Sequence, residues 1–414
     1  MTNSKSLTGA ALFGAILIGS LFSSSSPHIP APALTNETWD NSCTISKSTA
    51  FEIYPGPNTF TTSSADHLNA NKILPNINSS NWKQWEFDGT SHTGLSSVLL
   101  VFGRDSSYQF FRQGNLRVEF YIALPDGNRV AVLDYAAEST LINCPGRYTA
   151  GVWNGTDHSY SFLVDAAMKH AQLRFDSPKI RGSLNLTSDT NDSYLADGTA
   201  WEQGKEGQKG AVQVAPGLNY AVPIPGRAVQ MDATLESGKK LIFKGRGGAT
   251  RLWATTGWLN LCGGWKNIRG WAGPYTIVYW KLLLVGTRKH RTSDKEKQDY
   301  TEFTDLFGGE VKGSFADQST GHIFVFASPS RNKKWSFDIE HMHSYVEFRA
   351  PGVDEYGNKK LGQSGFTNRV GRGITEKCRW PAVFGKVALA ITSGAGFFGP
   401  RFQHLFIRVV GYRV

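Results

Sequence analysis

The chain lacks the local signatures of most familiar catalytic chemistry. Its 414 residues hold no Gly-x-Ser-x-Gly elbow, no Cys-x-x-Cys pair, no His-Glu-x-x-His helix and no dinucleotide-binding strand–turn–helix unit, since the lone Gly-x-Gly-x-x-Gly string, 394–399, runs into Pro400. Ordinary hydrolase, redox and nucleotide mechanisms are therefore without support. The Gly-rich piece KGRGGATRLW has no Lys-Ser/Thr ending, which excludes a phosphate loop. Helical periodicity is scarce, and only Asp165 to His170 predicts a turn of helix. Charge is not gathered: the net +10 is spread, and the densest cluster, Arg288 to Lys297, mixes both signs and reads as a hairpin loop. No basic stripe, RNP or zinc-finger pattern points to nucleic acid. After residue 22 no apolar run is long enough to span a bilayer.

The first 22 residues do contain such a run, but a short one. Lys5 precedes the apolar stretch Leu7 to Phe22, and Ser23 to Ser26 follow. Gly9, Gly14, Gly19 and Ser20 interrupt it, so residues 1–24 are expected to be a cleaved signal peptide rather than an anchor. Five glycosylation sequons, at Asn36, Asn78, Asn154, Asn185 and Asn191, agree with secretion and predict surface loops. The four cysteines are even in number, which an oxidising lumen allows to pair. Three pairings are open. Two cysteines fall in each half, which favours Cys43–Cys144 and Cys262–Cys378.

Residues 25–80 are rich in Pro, Ser, Asn and Thr and read as an extended arm. Short alternating runs then recur, punctuated by turn residues every 8–12 positions, as in SSVLLVFGR, NLRVEFYIALPDG and AQLRFDSP. Pro125-Asp126-Gly127 is a strong hairpin turn. Aromatics, with 12 Trp and 25 Phe, fit pleated surfaces. The expectation is an all-β protein: a β-sandwich over 81–212, then a β-barrel over 213–414, with a shared face between them.

Several stretches carry candidate chemistry. In WKQWEFDG, Glu86 and Asp88 lie two apart and share a strand face with Trp82. Carboxyls beside an indole sit in a partly dry site, where desolvation raises the pKa and suits proton transfer. Glu119 and Tyr121 repeat the spacing. Trp253, Trp258, Trp265 and Trp271 are placed to wall a flat hydrophobic substrate. His341 and His343 share a strand face, but no third ligand is evident, so no metal is assigned.

Taken in order, these strings resemble the fungal Diels–Alderase (pericyclase) family. WKQWEFDG resembles its Trp-x-x-Trp-x-Phe-Asp stretch, and RQGNLRVEFYIALPDG its strand ending in Pro-Asp-Gly. APGLNYAVPIPGRAVQMDA resembles the linker, GGATRLW and GPYTIVYWKLL the Arg-x-Trp and Gly-Pro-Tyr pattern, and APGVDEYGNKKLGQSGF the late loop. The likeness covers about residues 75 to 370. It implies a sandwich followed by a lipocalin-like barrel, with substrate held between them and no cofactor.

The mechanism expected from these residues together with the resemblance takes Glu86, Glu119, Lys266 and Arg251 as catalytic. It implies Asp88, Tyr121, Tyr220, Trp253, Trp271 and Gln363 as substrate-binding. Gln363 stands where the family has Lys or Asn, and Lys266 and Asn267 where it has a tyrosine pair. The signal peptide, sequons and cysteines resemble the branch of intermolecular hetero-Diels–Alderases. That implies addition of a tropolone ortho-quinone methide to a humulene-type sesquiterpene. Alternatives are an intramolecular [4+2] closure forming a decalin, a lipocalin-like carrier, and a glycosidase using two of the three carboxylates.

Overall fold

The structure is a computed structural model. It describes residues 42–61, 67–106, 112–188, 193–196, 198–202, 212–257, 261–272, 275–285, 300–310, 319–329, 332–353, 359–376, 389–395, 402–406 and 412–413. Nearly all are strand.

In chain order the first sixteen strands are β1 (Thr44–Thr49), β2 (Thr59–Phe60), β3 (Ile73–Leu74), β4 (Trp82–Ser91), β5 (Ser97–Asp105), β6 (Leu116–Ala123), β7 (Arg129–Tyr135), β8 (Glu138–Cys144), β9 (Tyr148–Asn154), β10 (Ser159–Asp165), β11 (His170–Asp176), β12 (Ile180–Thr187), β13 (Tyr194–Leu195), β14 (Gln213–Ala215), β15 (Leu218–Leu235) and β16 (Lys240–Ala254), all in the first sheet except β2 and β3, which pair with each other. The second group is β17 (Cys262–Ala272), β18 (Tyr275–Val285), β19 (Tyr300–Leu306), β20 (Gly321–Ser328), β21 (Lys333–Val353), β22 (Lys359–Glu376), β23 (Leu389–Ala395), β24 (Phe402–Phe406) and β25 (Tyr412–Arg413).

The first sheet runs β1-β8-β9-β10-β11-β12-β15-β16-β4-β5-β6-β7. It doubles back on itself, because rings from its two halves meet. Trp85 of β4 lies edge-on to Trp153 of β9 at 5.6 Å, and Phe102 of β5 to Phe162 of β10 at 5.2 Å. Alternate residues of each strand, such as Trp85, Phe87, Leu100, Phe102, Phe120 and Leu173, fill that interior. The β6–β7 turn is the expected one: Gly127 has φ +80° and donates to the Leu124 carbonyl.

The second sheet runs β19-β20-β21-β22-β23-β17-β18-β24. Its own core is aromatic, built on Tyr279, Phe324, Phe337, Ile268 and Ile339. The change of sheet falls between Ala254 and Cys262. Residues 213–254, expected to open the barrel, instead pair into the first sheet through β15 and β16. A long β15–β16 hairpin provides edges for both β12 and β4, and local composition does not reveal such partners.

Other expectations meet mixed outcomes. Cys43 and Cys144 form a disulfide with Cα atoms 4.2 Å apart. Cys378 and the side chain of Cys262 lie outside the described residues. The arm is more ordered than its composition predicts: β1 pairs with β8, and Leu68, Ile73 and Ile77 are buried. Asp165 to His170 is a turn joining β10 to β11, not a helix. Asn154 ends β9 and Asn78 is in a turn, but Asn185 lies within β12 rather than in a loop. Asn36, Asn191, residues 1–24 and the Arg288 to Lys297 loop lie outside the described residues. Among the described residues no helix is long and apolar enough to cross a membrane.

Candidate functional site

Strand β4 separates two environments. Trp85 and Phe87 point into the sandwich core, while Gln84, Glu86 and Asp88 stay partly accessible on the other face. Antiparallel register extends that second face over five strands. Thr250, Glu86, Val101 and Glu119 form one cross-strand row, and Gly248, Asp88, Leu99 and Tyr121 the next. Tyr220 of β15 joins it opposite Leu252, which itself is paired with Gln84.

The second sheet covers this face. On β17, Ile268 turns into the aromatic core, so Arg269 and Trp271 turn the other way. Arg269 is 3% exposed and donates from Nε to Asp88 Oδ2 at 2.8 Å. Its Nη1 reaches the Ile224 carbonyl at 3.0 Å and the Pro225 carbonyl. Those carbonyls are free because the β15–β16 ladder breaks its register around Ile224, beside the prolines. Trp280 of β18 stacks on Tyr220, with ring centroids 4.5 Å apart. Trp271 is 4% exposed, and its indole nitrogen lies against Gly226, where no side chain blocks the approach.

Electrostatics follow from this covering. Burial, with a smaller push from the neighbouring Asp88, holds the Glu86 carboxyl up at about 7. Thr250 Oγ1 and Gln84 Nε2, each donating at 2.6 Å, and the Arg269 charge hold it back from going higher. Burial also raises Asp88 above the usual carboxylate range, against the pull of Arg269. Burial raises the Tyr220 phenol, which therefore stays protonated. Its hydroxyl is buried and has no hydrogen-bond partner among the described residues. A neutral carboxyl and a bare phenol on one sheltered face are two donors ready for a substrate oxygen.

Glu119 shares the face but is already engaged. Tyr121 Oη donates to its Oε2, and Arg117 pairs with its Oε1. One strand, β5, lies between it and Glu86, so two strand spacings put roughly 10 Å between the backbones.

Arg251 and Trp253 are not on this face. Both point into the sandwich interior, 0% exposed, with the Arg251 guanidinium 3.7 Å from the Trp85 ring centroid. The expectation that they contact substrate beside Glu86 is corrected by strand parity: Arg251 pairs with Trp85, and Trp253 with Lys83. Lys266 and Gln363 are on β17 and β22, but their side chains lie outside the described residues, as do those of His343 and Trp265. Trp258 is also outside them. His341 contacts His322, Nε2 to Nε2, at 3.2 Å, and His322 Nδ1 meets Asp305 Oδ1 at 3.0 Å. Among the described residues no group of three or more His, Cys, Asp or Glu side chains is placed to hold a metal.

Arg269 is the main site residue that sequence reasoning missed. The signal available was its two-residue spacing from Trp271, which puts both on one strand face.

Comparison with known proteins bears on this geometry. A family model described as Diels-Alderase-like matches residues 40–291 and 283–389. The chain is 66% identical to "Hexane cyclase gkaB" of Penicillium citrinum, over 99% of this chain and 100% of that protein. It is 45% identical to "Hexane cyclase xenF" of Xenoacremonium sinensis, over 99% and 98% of the two chains. Among solved structures, that of CghA with Sch210972 superposes with a TM-score of 0.71 at 18% identity, covering 87% of this chain and all of that one.

Proposed function

Because the chain belongs to the Diels-Alderase-like family, we propose that this pericyclase closes a six-membered carbocycle by intramolecular [4+2] cycloaddition within one polyene. The observation that carries the reading is the shared face of Glu86, Asp88 and the unpartnered Tyr220 hydroxyl under Arg269, Trp271 and Trp280. Four diene carbons and two alkene carbons form two σ bonds, three π bonds become one, and no atom leaves. No covalent bond to the protein is required.

Three contributions from the chain suffice. Trp280, Trp271 and the apolar face around Leu99 and Val101 hold the folded polyene. Neutral Glu86 or Tyr220 donates a hydrogen bond to a carbonyl conjugated with the reacting alkene, lowering its acceptor orbital. A preorganised donor of this kind is worth about 3 kcal/mol of barrier. Arg269 clamps Asp88 to the Ile224 and Pro225 carbonyls and so fixes the two sheets in one relation.

The relatives named cyclases favour the intramolecular closure over addition of a tropolone quinone methide to humulene, since cyclisation joins two parts of one molecule. Mass spectrometry separates the two. Ring closure is an isomerisation, so the product keeps the substrate's mass, while the intermolecular reaction gives the combined mass of both partners. Wild-type protein is expected to convert a linear polyene carrying a conjugated carbonyl to one cyclised stereoisomer of unchanged mass. Tyr220→Phe and Glu86→Gln are each expected to slow this about 10²-fold without loss of stability. Product at the spontaneous rate and ratio with wild-type protein refutes the proposal and leaves a carrier.

Passage through the secretory pathway is part of the proposal. The Cys43–Cys144 disulfide supports an oxidising compartment. A mass loss on peptide-N-glycosidase treatment of native protein tests it, and no loss argues against it.

A further inference from the structure

Behind the carboxylate face, the sandwich interior holds cations with too few acceptors. Lys83, Arg104 and Arg251 are each 0% exposed. Lys83 sits in register between Trp253 of β16 and Arg104 of β5, and Arg251 is two residues along β16. Burial above all presses Lys83 and Arg251 toward their neutral forms, and like charge adds to it: Arg104 and Arg251 oppose the Lys83 ammonium, and Arg104 opposes Arg251. The carboxylate that offsets Arg104 is Glu52, at the exposed edge, and none offsets Lys83 or Arg251.

Hydrogen bonding sharpens the imbalance. Arg104 is well supplied, donating to Ser46 and Ser139 through side-chain and backbone oxygens. Arg251 is not. Its Nη1 reaches the Gln84 and Leu252 carbonyls at 2.7 and 2.6 Å, but its Nε and Nη2 are buried without a partner. Around it the Trp253 indole nitrogen and the amide nitrogens of Asn69 and Asn71 are equally bare. Both asparagines border the cluster: the Asn69 carbonyl accepts from Trp85 Nε1, and Asn71 Oδ1 accepts from Lys83 Nζ. Against these five nitrogens stand two bare oxygens, Asn69 Oδ1 and, across the strand from Trp253, Asn219 Oδ1. Buried donors left unpaired are costly, and unpaired buried charge more so. Donors in excess, of positive charge and walled by two indoles, call for a polarisable anion. A sealed core admits one without an organic tail.

We infer that the sandwich interior binds a small inorganic anion of the halide class among Arg251, Lys83, Trp253 and the amides of Asn69 and Asn71. The ion completes the hydrogen bonding of this end of the core and is distinct from the carboxylate site, which faces the other side of β4.

The test uses the full chain in potassium chloride, bromide or gluconate at matched ionic strength. A ligand of the folded state raises Tm with the logarithm of its concentration. The expected result is a Tm that climbs with chloride or bromide and not with gluconate. Arg251→Met should abolish that climb. Trp253→Phe, which removes a single donor, should reduce it if the first variant does not fold. Crystals grown in bromide should show an anomalous peak within about 3.5 Å of the Arg251 guanidinium. Equal Tm in all three salts, or a water or carbonyl oxygen where the anion is expected, overturns the inference.

Discussion

Replacing Glu86 by Gln should stabilise the protein in a pH-dependent way. The folded carboxyl titrates at about 7 against an ordinary 4.5, chiefly through burial. Between those values the folded chain holds a proton that the unfolded chain has lost. The resulting stability is complete below pH 4.5 and disappears as pH rises through 7. At about 1.4 kcal/mol per pH unit, the ionised carboxylate costs the fold about 3 kcal/mol above pH 7. The side chain is partly accessible, so about 2 kcal/mol is the working figure. Gln keeps the shape and an oxygen for Thr250 and cannot ionise. Urea midpoints should therefore nearly coincide at pH 5 and separate at pH 8, with the variant higher. Turnover gives a second readout, because a donor that must be neutral loses rate above pH 7, and the variant should show no such fall. An offset between the two proteins that is the same at pH 5 and pH 8 would refute the reasoning.

Three other perturbations probe separate parts of the fold. Gly248→Ala places a methyl against the Ile224 carbonyl and Arg269 Nη1, so it should cost about 2–3 kcal/mol in urea melts and scramble product stereochemistry; a variant with native stability and product ratio would show that the clamp is dispensable. Cys43→Ser with Cys144→Ser opens a link spanning 101 residues and should cost about 4–5 kcal/mol, readable as a lower urea midpoint; an unchanged midpoint would contradict it. His67 is held down to about 4 by burial, so its stability is complete above pH 6.5 and fades as pH falls toward 4. His67→Gln should remove that slope, worth about 3 kcal/mol. It opposes the Glu86 slope over nearly the same range, so only the variants, not the wild-type profile, separate the two; identical profiles with and without His67 would refute it.

The sequence by itself determined the strands and the faces within them. Alternation in WKQWEFDG separated Trp85 and Phe87 from Glu86 and Asp88, because side chains on a strand alternate strictly. The same rule put Glu119 beside Tyr121, and Pro-Asp-Gly at residues 125–127 fixed a turn by its own backbone preferences. Pairing partners were decided only by the tertiary structure. Residues 213–254 joined the first sheet, and Arg251 and Trp253 faced its core, because register with β4 sets their side of the sheet. Arg269 met Asp88 across 181 positions of chain. The raised Glu86 carboxyl likewise needed the second sheet to exclude water from it. Local pattern encodes which way a side chain points along its own strand, whereas charge, solvation and neighbours depend on which distant strand arrives opposite.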